Sequence, residues 1–223
     1  MMSNVKWKTL IITSLLCLAP ILIGAYYYSE LPEMVAIHFN FKGEPDSYMQ
    51  KNYFVFLLPI LMALLQVYLC YKNDVVNNGL KTPKVEYIFK SVIPLTSIIV
   101  YLLSMGITMG IQLDLRRIML VFLGILFILI GNYMPKTSGY YRTKVMLNGN
   151  LTGLGFIKNY YNMDPDLRKR HYTVFGYILF IIGIIYLFSI FLNEVFTMYI
   201  LIGTILIVLI YTVLIYFQMS KKA

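Results

Sequence analysis

The chain has 223 residues, of which 59% are hydrophobic and 13% charged, with a mean hydropathy of +0.72. A water-soluble domain carries about 25% charged residues, so this composition excludes an ordinary soluble fold and places the chain in the membrane class. The net charge of +9 has no soluble domain on which to gather, which argues against direct nucleic acid binding.

A helix needs about 20 mainly apolar residues to cross the hydrocarbon core. Six runs meet this, over about 9–28, 52–71, 88–110, 116–134, 173–193 and 197–218. The first follows Lys6 and Lys8 and ends in Tyr26-Tyr27-Tyr28, not in small residues, so it reads as an uncleaved span and not a signal peptide. Residues 29–51 then form a polar loop dense in turn formers. Val35 to Phe39 lean to β structure, Gly43 suits a positive φ, and Glu44-Pro45-Asp46-Ser47 is a second turn signal. A short ordered hairpin or turn cluster is expected there. Pro20, Pro59 and Pro94 fall inside spans one to three, where each tends to kink its helix. Cys17 and Cys70 lie in apolar runs without metal-ligand spacing and read as small packing residues.

Spans three to six complete the expected fold, an all-α polytopic membrane helix bundle with a short ordered extracytoplasmic loop. An N-terminal module, 1–87, holds two spans and the outer loop. A C-terminal module, 88–223, holds four spans and an inner loop at 135–172. Gly106 with Gly110, and Gly176 with Gly183, are spaced for close helix packing. Tyr101 and Tyr186 fall deep enough to pack between helices, while most other tyrosines sit at span ends as an interfacial belt. Placing both termini in the cytoplasm leaves only Lys42, Lys51, Arg116 and Arg117 of the 19 Lys and Arg residues outside, as the positive-inside rule requires.

No ionisable residue falls in the middle of a span, which argues against proton coupling. In the outer loop, His38 stands with Glu33, Glu44 and Asp46, but one histidine without HxxxH spacing predicts no metal site. No nucleophile accompanies His38, so no catalytic constellation, enzyme activity or cofactor is expected. In the inner loop, Gly149, Gly153 and Gly155 do not form GxGxxG. Arg168-Lys169-Arg170 is a basic run suited to the anionic leaflet or to a cytoplasmic regulator.

Leu31-Pro32, His38-Phe39-Asn40, Gly43, Pro45-Asp46 and Lys51 resemble the signature LPxxIPxHFNxxGxPDxxxxK. It belongs to the N-terminal module of bacterial SdpI-type membrane proteins, a toxin-immunity family. Gly131-Asn132-Tyr133-Met134-Pro135-Lys136 resembles that family's GNYxPK at the inner end of a membrane helix. After that point the chain departs from the family, whose GIRTPWTL-like segment is replaced by Thr137-Ser138-Gly139-Tyr140-Tyr141-Arg142-Thr143-Lys144. Arg170-His171 loosely echoes a His-Arg pair of the family.

The resemblance implies a multi-pass protein of the bacterial cell membrane that protects against a secreted peptide toxin, by binding or sequestration. His38, Asn40, Asp46 and Lys51 would then offer the outer surface. Pro32, Gly43 and Pro45 would shape it, and Asn132 would hold the inner end of span four by hydrogen bonding. Two other classes stay open: a signalling protein that senses an outer ligand and recruits a cytoplasmic regulator, and a small permease or efflux protein.

Overall fold

The computed structural model describes residues 5–40, 42–76, 83–137 and 164–220. Most of the predicted inner loop, 138–163 with its three glycines, lies outside the described residues. Six helices are long and apolar enough to cross a membrane. They are α1 (Trp7–Tyr26), α2 (Leu58–Val76), α3 (Pro83–Thr108), α4 (Leu115–Thr137), α5 (Pro165–Ser189) and α6 (Glu194–Ser220). Large apolar side chains such as Leu22, Phe188 and Ile205 stand exposed on them, as expected where the surrounding solvent is lipid. The chain is therefore an all-α polytopic membrane protein. Its one sheet among the described residues pairs β1 (Met34–Phe39) with β2 (Pro45–Gln50) as an antiparallel hairpin.

Three boundaries differ from the sequence reading, each for a local reason. α2 is entered through a π-helical turn, Tyr53–Leu57, in which the Leu58 N–H bonds back to Tyr53 O. Pro59 follows at once and lacks the N–H that Val55 O would otherwise receive, so the register changes where a donor is missing anyway. α3 stops at Thr108 because Gly110, at φ +86°, closes it. Ile111 N–H bonds to Gly106 O at 2.9 Å and Gly110 N–H to Ile107 O at 3.0 Å, the paired bonds of a Schellman cap. Gly110 is thus a helix terminator and not half of a helix-packing pair. α5 starts at Pro165, well before the expected residue 173. Asp164 Oδ1 accepts from the backbone N–H of Asp166 and Leu167, and Pro165 takes the first helical position, where its missing N–H costs nothing. Arg168, Lys169 and Arg170 therefore ride on a helix, not in the predicted loop.

The chain divides into two compact units, Met1–Gly79 with Glu86–Met119, and Leu80–Val85 with Leu120–Ala223. In the first, α1 buries Leu10, Thr13, Cys17, Pro20 and Gly24, three or four residues apart and so on one face. α2 turns inward Ala63, Gln66, Cys70 and Asp74, and α3 Glu86, Lys90, Pro94, Tyr101 and Ser104. Both cysteines are free and buried, in line with a packing role.

Two of these contacts explain residues that look out of place in an apolar span. Pro94 has no N–H to offer Lys90 O, four residues back, and Gln66 Nε2 donates to that carbonyl at 2.7 Å. The buried amide thus satisfies an acceptor that the proline orphans. Tyr101 stacks on Phe54, ring centroids 4.4 Å apart, and its hydroxyl lies so close to Gly24 that any Cβ there would overlap it.

The second unit has its core at Leu120, Ile182 and Tyr186, backed by Phe127, Ile178 and Leu201. Tyr186 Oη and Thr204 Oγ1 share a buried hydrogen bond of 2.7 Å between α5 and α6. α4 and α5 meet at two glycine pairs. A Cβ on Gly131 would stand 2.6 Å from Gly176 O, and one on Gly183 would stand 2.6 Å from Gly124 O. Gly176 and Gly183 pack as their spacing predicts, against a matching pair seven residues apart on α4.

Candidate functional site

The hairpin sits at the end of the first unit formed by the C-termini of α1 and α3 and the start of α2. Leu31, Val35 and Ala36 are its buried feet, set against Phe54, Val55, Tyr101 and Met105. The backbone N–H of Ala36 donates to Thr108 Oγ1 at 3.0 Å, which fixes β1 to the last turn of α3. A register shift at Ile37 breaks the simple alternation, so Val35 and Ala36 are both buried. β2 carries Asp46, Ser47, Tyr48 and Gln50 in the open.

The signature residues divide by task. Asn40 builds the turn. Its Oδ1 accepts from the backbone N–H of Lys42 at 2.9 Å and of Glu44 at 3.0 Å, and its Nδ2 donates to Glu44 Oε2. Gly43 completes the turn at φ +82°, where a side chain strains the backbone. Pro45 opens β2 opposite Phe39. Lys51 closes the base, with Nζ 3.0 Å from Glu33 Oε1, 3.4 Å from Leu31 O and over the Tyr28 ring. Pro32 is exposed beside buried Leu31, at the turn out of α1.

His38 and Asp46 alone of the set are outward and paired across the strands. His38 Nδ1 lies 2.5 Å from Asp46 Oδ1, with the two side chains 69% and 43% exposed. A carboxylate can only accept, so the imidazole Nδ1–H donates. Exposed pairs of this kind contribute little to stability, about 0–1 kcal/mol. The sequence reading treated His38, Asn40, Asp46 and Lys51 as one surface. The geometry separates a structural pair, Asn40 and Lys51, from a surface pair, His38 and Asp46.

That separation has a measurable consequence. Asn40→Ala removes two backbone caps and is expected to cost the hairpin about 1–3 kcal/mol, and Gly43→Ala about 1–2 kcal/mol from its left-handed backbone. Amide hydrogen exchange over residues 34–50 should accelerate in both and stay unchanged in His38→Ala.

At the opposite end of the first unit lies a constellation that residue spacing did not reveal. Lys90 Nζ contacts Asp74 Oδ1 and Glu86 Oε1, each at 2.6 Å, and all three side chains are at least 96% buried. Lys6 pairs with Glu86, and its backbone N–H donates to Asp74 Oδ2 at 3.0 Å. The Glu86 Oε1 contact is ionic, not a well-directed hydrogen bond. Two carboxylates face two ammonium groups, so the cluster is neutral overall, as burial near lipid demands. Counting Lys6 and Lys90 among loop charges hid it. The available signals were Glu86 and Lys90 four apart, and Gln66, Cys70 and Asp74 at four-residue steps on one helix face. Among the described residues no three His, Cys, Asp or Glu side chains are grouped so as to hold a metal ion.

The second motif and the basic run lie in the second unit. Gly131 and Pro135 both pack on Gly176, whose Cβ would meet Gly131 O and the Pro135 ring at 2.8 Å. The Asn132 side chain is exposed and makes no hydrogen bond to another described residue, unlike the expected inner-end tie. Lys136 Nζ lies over the Tyr133 ring, 4.4 Å from its centroid. Lys169 and Arg170 are exposed in the second turn of α5, and the Arg168 side chain lies outside what is described.

Among curated proteins and solved structures none matches this chain. Residues 15–63, which include the whole hairpin and its seat on α1 and α2, match the family model described as a domain of unknown function, DUF1648.

Proposed function

We propose that this protein is an immunity protein of the bacterial cell membrane, with both termini cytoplasmic, that binds a secreted antimicrobial peptide at the hairpin and so protects the cell. The observation that carries the reading is the hairpin itself. Its fold is held by bonds that face inward or run along the turn, and its outward face is left to His38, Asp46, Tyr48 and Met34. Residues 29–52 hold Glu30, Glu33, Glu44 and Asp46 against Lys42 and Lys51, an acidic patch on a chain of net charge +9. That favours a cationic amphipathic peptide arriving along the membrane surface. The resemblance at Leu31 to Lys51 supports the same reading. Sequestration is the simplest mechanism, since binding at a preformed surface needs no chemistry.

The test is protection of a toxin-sensitive bacterium. Wild type should raise the killing threshold for a secreted peptide toxin. His38→Ala with Asp46→Ala should lose most of that gain, roughly tenfold, at equal membrane abundance, because only a surface contact is removed. A wild type that protects against none of the peptides tried overturns the reading.

A signalling role is the second reading. It is favoured by Lys169 and Arg170, exposed near the N-terminus of α5, where positive charge opposes the helix dipole and so serves something other than helix stability. Changing both to glutamine should alter gene expression while leaving protection intact if a cytoplasmic regulator docks there.

A further inference from the structure

The hairpin has two outer edges, and they are finished differently. Lys51 N–H bonds to Glu33 O at the base of the ladder. In the pairing that follows, Val35 and Met49 therefore turn their backbone groups toward each other, while Met34 with Gln50 and Ala36 with Tyr48 turn theirs outward. On β1 the outward edge is closed at its centre, because Ala36 N–H is the donor that Thr108 Oγ1 accepts. On β2 the edge is open. Tyr48 N–H, Tyr48 O and Gln50 N–H have no hydrogen bond among the described residues, and both residues are exposed.

An open edge is a template for another strand, and folded proteins usually blunt one with lysine, proline or a bulge. β2 does so only at its turn end. Pro45 opens the strand, and Asp46 is left unpaired by the register shift between His38 and Phe39. From Ser47 to Gln50 there is no lysine, arginine or proline. The unguarded stretch is the one whose amides face outward.

Charge and side-chain alternation narrow the occupant. Asp46 and Glu44 are exposed beside this edge, β2 contributes no cation, and Lys51 is 17% exposed and tied to Glu33. A positively charged strand is favoured there, whereas a second copy of the hairpin would bring the same carboxylates. Tyr48 and Gln50 share a face with exposed Met34, while Met49 points to the other face and packs against the core of Val35 and Phe54. An incoming strand meets an aromatic ring at one set of alternate residues and an apolar neighbour at the other.

We propose that β2 takes up a cationic peptide as a third strand of the hairpin, paired through the main chain of Tyr48 and Gln50. Alternate basic residues lie beside Tyr48 and apolar ones beside Met49. The proposal rests on the reading of the hairpin as the peptide's site and adds how the peptide is held. Main-chain pairing accepts different sequences, provided that they are extended and alternate in this way.

The test uses the full chain in phosphatidylcholine nanodiscs, which carry no net charge, and a capped synthetic heptapeptide, Lys-Val-Lys-Thr-Lys-Val-Lys. Hydrogen exchange is read at single amides by mass spectrometry. Without the probe, the Tyr48 and Gln50 amides should exchange fast and Met49, inside the ladder, slowly. With the probe at ten times its Kd, both fast amides should slow about tenfold. The same heptapeptide N-methylated at its five central residues keeps its charge and side chains but loses those donors, and should leave both amides fast. Glutamate in place of lysine should raise the concentration needed at least about tenfold. Tyr48→Pro removes an outward N–H and no ladder bond. It should raise the concentration that protects Gln50 roughly three- to tenfold, the range one hydrogen bond provides, whereas Tyr48→Ala keeps the amide and should keep the protection. If Tyr48→Pro does not fold, the N-methylated probe makes the same comparison on the wild type. Tyr48 and Gln50 amides that stay fast at millimolar probe overturn the proposal, as does slowing by the N-methylated probe. Amides already slow without probe, and faster on dilution, mean that a second copy occupies the edge and overturn it too. The immunity reading is judged separately, by the protection assay. A wild type that protects while these amides stay open keeps immunity and loses the third strand, and slowed amides in a wild type that protects against nothing do the reverse.

Discussion

Lys90→Met is expected to destabilise the first unit by about 3–5 kcal/mol, the cost of breaking a buried ion pair from one side. The substitution leaves Asp74 and Glu86 buried with Lys6 as their only cation among the described residues, and Lys6 is 43% exposed. Reversible unfolding in mixed detergent micelles reads the loss. Asp74→Asn should cost less, because Glu86 still pairs with both lysines and the amide oxygen can still accept from one of the two donors that reach Asp74, Lys90 Nζ or the Lys6 N–H. Replacing Asp74, Glu86 and Lys90 together with Leu, Met and Met should recover most of the stability, since a well-packed apolar cluster is often as stable as the ions it replaces. A Lys90→Met protein that unfolds within about 1 kcal/mol of wild type would overturn this account of the cluster as a buried ion pair.

Gly183→Ala is expected to cost about 1–3 kcal/mol, and Gly183→Ile considerably more, because the obstacle is backbone. The added carbon would meet Gly124 O at 2.6 Å and Ile128 N at 2.8 Å, and neither can turn aside as a flexible side chain does. α4 and α5 must then separate along the whole crossing, and Gly131 with Gly176 would lose contact too. A cysteine cross-link between exposed positions of α4 and α5 should form more slowly in the variant. Gly203→Ala on α6 is the control: a Cβ there meets nothing within 4 Å, so it should change stability by less than about 0.5 kcal/mol.

The spans were legible because lipid imposes a coarse, local demand: about 20 apolar residues in a row. The hairpin was legible for the same kind of reason. Asn40, Gly43 and Pro45 act on backbone within five residues of themselves, so their chemistry can be read in place. What escaped is non-local. Lys90 and Lys6 look like solvated loop charges until α1, α2 and α3 are brought together around Asp74 and Glu86. Gln66 reads as a mild polar residue until its partner, the carbonyl orphaned by Pro94 on another helix, is known. Gly110 shows the opposite error. Its four-residue spacing from Gly106 suggested a helix contact, but a positive φ at a helix end gives the same letters. The start of α5 was missed because charge outweighed capping: Asp164-Pro165 marks a helix start, yet Arg168 to Arg170 made the segment look like loop.

The hairpin's footing also fixes an order of events during synthesis. Its strands, residues 34–50, leave the ribosome before α3 exists, yet their floor includes Tyr101 and Met105 and their tether is the Thr108 hydroxyl. The turn built by Asn40 and Gly43 can close on its own, since its bonds are local. The feet cannot. Until α3 enters the bilayer, Val35 has no pocket and the Ala36 N–H has no acceptor on α3. The hairpin is therefore seated from behind by a later segment, as a keystone is, and the finished surface reports that all three helices of the unit have been inserted.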